Sequence, residues 1–211
     1  MNNATINIPS VANWDVERKS ESSVKTILND NGNHFQFQFP DENVEAVHIY
    51  LGYDSESEKI NFQVVKAGHD TKANTNAIAL VNVKSQKVQL PSVTNTVDLN
   101  PHHISDMEAT ARVNSYIDSS KRDAWVSELF LNSQEVFQAF VVDAIDFEPG
   151  NTYDCFLGLK ENEENNHVID LIIYNTSSTI EEGIRDMTGS VPPYKATGRK
   201  QRSNFGLLDN L

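Results

Sequence analysis

His102 and His103, followed closely by Asp106 and Glu108, are the residues of this sequence whose types could hold a metal. Imidazole nitrogens and carboxylate oxygens together suit zinc or non-haem iron. Their spacing weakens the case. Adjacent residues of an extended loop point opposite ways, and no other histidine stands at ligand spacing on a helix. Asp106 and Glu108 equally suit the first turn of a helix, where the dipole favours acids. A metal-dependent enzyme built on these four residues is the alternative reading, and no metal or other cofactor is expected under the principal one.

The remaining candidates are weaker. Gly68-His69-Asp70 sets an imidazole beside a carboxylate. A general base oriented by a carboxylate is normally assembled across space, so the tripeptide reads as a solvated turn. His34, His48 and His167 begin or interrupt strand patterns and read as packed or edge residues. The acidic runs at 54–58 and 161–165 offer oxygen ligands, but an EF-hand loop needs glycine at its sixth position and glutamate at its twelfth. Lys59 takes the sixth position of the first run and neither run completes the pattern, which leaves both as hairpin tips. Residues 183–190 lack the lysine of a phosphate-binding loop, and neither Gly-x-Gly-x-x-Gly nor Gly-x-Ser-x-Gly occurs. Cys155 lies in an apolar strand pattern and reads as a small buried hydrophobe.

The net charge of −13 argues against broad nucleic-acid binding, which draws its affinity from clustered Lys and Arg. That charge is uneven. Residues 190–211 hold Lys195, Arg199, Lys200 and Arg202 against Asp209, a net of +3, so the remaining chain carries −16. With 38% hydrophobic and 22% charged residues over 211 positions, the composition is that of a chain able to bury its own core. No apolar run reaches the ~18 residues of a membrane span. The first residues show neither a basic region nor an apolar one of the secretory kind. A lone cysteine makes no intramolecular disulfide and fits a reducing compartment. The expectation is a cytoplasmic protein, or one assembled into a particle made there, with neither nucleic acid nor membrane as partner.

The elements that would position any site repeat. Val47-His-Ile-Tyr-Leu-Gly-Tyr53 and Ile60-Asn-Phe-Gln-Val-Val65 form a β-hairpin pattern across a polar turn. Tyr153-Asp-Cys-Phe-Leu-Gly-Leu159 and Val168-Ile-Asp-Leu-Ile-Ile-Tyr174 echo it about a hundred residues later, again with Leu-Gly between apolar residues and a Phe–Pro break upstream. Phe35, Phe37 and Phe39 alternate with Gln36 and Gln38, which predicts a half-buried strand with its rings inward. Residues 34–66 therefore read as a three-stranded meander, and 136–174 as a second one. The segment 136–147 carries helical spacing, but its Val, Ile and Phe content favours a strand.

Between the halves, Ser105 with Glu108 matches a capping box, and a helical pair follows with apolar faces Ala109, Val113, Tyr116, Ile117 and Trp125, Val126, Leu129, Phe130. A short helix is expected from Ser177, ending before Gly189. The predicted fold is α+β with antiparallel meanders dominant, a central helical pair and extended terminal arms. The units are an arm at 1–20, one domain at 21–189 and a tail at 190–211.

The tail ends in Phe205, Leu207, Leu208 and Leu211 behind its four basic residues, an ending suited to docking in trans or across the body's own surface. The principal functional expectation is a non-catalytic structural or interaction subunit, partnered by copies of itself or other subunits. Components of virions and injection machines carry arms of this kind. A small-ligand module with its pocket between the meanders is the remaining alternative.

Overall fold

A polar side chain begins each of the four helices found among the described residues. Asn7 accepts from the Ser10 amide, Ser20 from Ser23, Ser105 from Glu108, and Asp118 from Ser120 and Lys121. Each satisfies an amide that the first helical turn leaves unpaired. The helices are α1 (Ile8–Glu17), α2 (Glu21–Asp30), α3 (Asp106–Ile117) and α4 (Ser119–Leu131). The computed structural model describes residues 4–5, 7–39, 44–71, 76–77, 79–83, 86–91, 103–143, 147–162, 166–176, 184–186, 189–191 and 205–208. The segment read as an extended N-terminal arm is thus helical from Ile8. Pro9 sits in the first turn of α1, where its missing amide costs nothing.

Among the described residues twelve strands accompany the helices: β1 (Ala4–Thr5), β2 (His34–Gln38), β3 (Ala46–Asp54), β4 (Lys59–Lys66), β5 (Asn76–Ala77), β6 (Ala79–Asn82), β7 (His103–Ile104), β8 (Ala139–Asp143), β9 (Thr152–Glu161), β10 (His167–Asn175), β11 (Ile184–Asp186) and β12 (Gly189–Val191). They form two five-stranded sheets, ordered β2-β9-β10-β11-β7 and β12-β8-β3-β4-β6, and a two-stranded β1-β5. Every pairing is antiparallel, so the α+β class stands. The expected short helix is corrected in part: its C-terminal portion is β11, and 177–183 lie outside the described residues.

Both hairpins form as expected, β3–β4 and β9–β10. The local meanders do not. The strand that leads each half pairs with the other half's hairpin, β2 with β9 and β8 with β3. With β2 in one sheet and β4 in the other, the Phe35 ring stacks on Phe62 of β4 at 4.1 Å across the space between them. The exchange is matched at both ends. Leu51 N–H donates to the Gln138 carbonyl at 2.9 Å and Leu157 N–H to that of Asn33 at 2.8 Å, each acceptor standing just ahead of an exchanged strand. Of the ambiguous 136–147 segment, Ala139–Asp143 is strand β8, paired with β3 and β12, and residues 144–146 lie outside the described residues. The carbonyls of Val136 and Phe137 accept from Arg18 and from the Trp14 indole.

The inward faces of the two large sheets share one apolar cluster with Trp14, Val24, Leu28, Trp125 and Leu129 of the helices. Leu51 and Leu157 are fully buried in it, and Phe35, Phe37 and Phe39 point into it while Gln36 and Gln38 are exposed. The glycines beside those leucines face outward, each under a helix. A Cβ on Gly52 would lie 2.5 Å from Ser10 Oγ of α1, and one on Gly158 3.2 Å from Arg112 Cβ of α3. The repeated Leu-Gly thus serves one purpose twice, a core anchor followed by a gap for a helix.

Candidate partner-docking site

Asp70 follows the 3₁₀ turn Ala67–His69 that ends β4, and its carboxylate is wholly enclosed. A buried carboxylate needs donors. His48 and Tyr50 supply two, being two residues apart and so on one face of β3. His48 Nδ1 lies 2.5 Å from Asp70 Oδ2, and the Tyr50 hydroxyl donates to that same oxygen. The third donor comes from the far end of the chain, the Leu207 amide, 3.1 Å from Asp70 Oδ1.

Residues 205–208 are seated on this cluster and buried. The Phe205 ring stacks on the His48 imidazole at 4.0 Å and 21°, and stands edge-on to Tyr50 at 5.8 Å. Leu207 and Leu208 pack with Val11 of α1, Val65 of β4 and Ala139 of β8. Gly206 passes so close to the body that a Cβ there would lie 2.4 Å from Thr71 Cα and 2.6 Å from the Asp70 carbonyl oxygen. Both are backbone atoms with no rotamer to yield. Leu208 N–H closes a turn onto the Phe205 carbonyl at 3.0 Å. The result is a socket on the outer face of the second sheet, with shape set by Gly206 and polarity by Asp70.

The Asp70–His48 contact has the parts of an oriented general base, but the Phe205 ring covers the imidazole and both carboxylate oxygens already accept hydrogen bonds. Its chemistry is that of a latch. Reading residues 68–70 as a solvated turn is corrected accordingly: His69 is exposed, while Asp70 is buried against a different histidine. No local signal marks that pairing, since His48 lies on another strand.

No family model, curated protein or solved structure matches the chain. The site must be read from its own geometry.

Glu108 forms an ion pair with Arg112, whose other nitrogen lies 2.5 Å from the buried Asp170 of β10. Asp106 sits in the first turn of α3, His103 is in β7, and His102 lies outside the described residues. Among the described residues no group of three His, Cys, Asp or Glu is arranged to hold a metal. Burial, with Asp154 adjacent, pushes the Cys155 thiol well up, the opposite of an activated nucleophile. Lys195, Arg199, Lys200, Arg202 and Leu211 lie outside the described residues. No helix among the described residues is long and apolar enough to cross a membrane.

Proposed function

We propose that the chain is a non-catalytic interaction subunit of a larger protein assembly, joined to its neighbours through its terminal segments. The observation that carries this reading is the socket. A C-terminal anchor of one aromatic residue, one glycine and two leucines is held by stacking, apolar packing and a buried carboxylate, and it hangs on a spacer bearing four basic residues and no acid. Such an anchor is separable from the body in sequence and specific in shape, the two properties a connecting element needs. The −16 balance of the remaining chain gives the basic spacer a surface to cross, chiefly steering encounter rather than supplying affinity. A reducing, cytoplasmic setting suits the lone buried thiol, and a particle assembled there suits the anchor. The virion-like version of this role rests on analogy of arms alone.

The test is the native mass of the complex recovered from cells that make the protein. The full chain should run in a species larger than itself, and Gly206→Val should drop out of that species while keeping its far-UV spectrum. A full chain that runs alone in gentle lysates refutes the reading.

A further inference from the structure

We infer that residues 205–208 are exchanged between two copies of this chain, each segment seating in the other's socket; this rests on the interaction reading above. The first support is slack. Strand β12 ends at Val191, paired with Ala139, and Ala139 is itself a wall of the socket. Neighbouring strands lie about 4.8 Å apart, so the chain leaves the sheet two strands, roughly 10 Å, from β3, where Phe205 must arrive. Thirteen residues, 192–204, join the two points, a length that spans up to roughly 45 Å when extended. A linker far longer than its gap lowers the effective concentration of its own anchor and brings a neighbour's socket within reach.

The second support is stiffness at the exit. Val191, the residue ahead of Pro192-Pro193, ends β12 in extended backbone, the conformation that a following proline favours and one that points the chain away from an immediate reversal. The third is charge. Two bodies of −16 repel, and two spacers carrying Lys195, Arg199, Lys200 and Arg202 between them offset that repulsion. Every contact made by Phe205, Gly206, Leu207 and Leu208 in one chain is available unchanged between two, which is why exchange of an identical element is a low-cost route to a dimer. Two reciprocal seatings leave no socket empty and close the pair.

The experiment follows the full chain by light scattering and native mass from micromolar to millimolar concentration, and mixes isotopically heavy and light preparations. Exchange predicts a dimer that grows with concentration and yields mixed-mass pairs after mixing. Gly206→Val should weaken dimerisation at least about tenfold with the far-UV spectrum unchanged. Should that variant lose its fold, Phe205→Ser takes its place. A full chain that is monomeric at every concentration overturns the exchange, as does a dimer of undiminished affinity in the variant. A chain monomeric when pure, yet recovered from cells in a complex that Gly206→Val abolishes, sinks the exchange and leaves the interaction reading standing. A lone chain in both settings sinks both.

Discussion

Asp70 concentrates the physics of the socket in one side chain. Its two oxygens serve His48, Tyr50 and the Leu207 amide, three buried donors brought together from β3 and residues 205–208. Removing the carboxylate takes away an acceptor from each, at about 1–3 kcal/mol for every donor left unsatisfied. Asp70→Ala should therefore lower the unfolding free energy by about 3 kcal/mol in urea titration, and Phe205 should lose its protection from quenching. A loss below roughly 1 kcal/mol would show the cluster to be peripheral.

Lys87 offers a second residue-scale test. Burial, with Arg122 nearby, lowers its amine to about 8, although it donates to the carbonyls of Asn29 at 2.7 Å and Asn31 at 2.9 Å. An unfolded lysine titrates near 10.4, so between about pH 8 and 10.4 the unfolded chain holds the extra proton. Stability from this group is lowest below pH 8 and rises through that window. Acylation of Lys87 followed by mass spectrometry should show a midpoint near pH 8, two units below exposed lysines; a midpoint near 10 refutes the shift. Neither residue was legible in the sequence, because Asp70's partners sit on another strand and in residues 205–208, and Lys87's acceptors are at the C-terminal end of α2, more than fifty residues away in the chain.

Elements were far more legible. Strict alternation in 34–39, the aromatic runs of both hairpins and the capping residues of α3 each state a local preference that the fold obeys. α1 was missed because alternation over 5–8 and Pro9 point to extended chain, whereas Asn7 as cap and Trp14, Arg18 as anchors decide for helix. The paired Leu-Gly steps give the element-scale prediction. Leu51 and Leu157 occupy matched, fully buried positions, so Leu51→Ala and Leu157→Ala should each cost about 2–5 kcal/mol by chemical denaturation. A loss below about 1 kcal/mol at either would deny the match.

At the scale of the whole molecule the halves share an order among the described residues, a short strand, two helices and then five strands, but not an independent fold. Which hairpin a leading strand joins was invisible in the sequence, because both hairpins present the same alternation and the choice is made by facing-sheet contacts such as Phe35 on Phe62. A chain cut between 91 and 103 should therefore yield fragments that are each unfolded alone and regain a native far-UV spectrum when refolded together. Either fragment folding by itself would show the exchange to be dispensable.

The crossed leading strands also place a clock on synthesis. β2 leaves the ribosome early, yet its pairing partner Phe156 and the rest of β9 follow more than a hundred residues later. At about 5–20 residues per second that is a wait of roughly 6–24 s with three phenylalanines and a strand edge uncovered. Contacts so distant along the chain also slow the closing step itself. The nascent first half is thus the stage at which this protein most needs a chaperone. Slowing translation downstream of residue 91 should raise its aggregation, whereas slowing it after 175 should not.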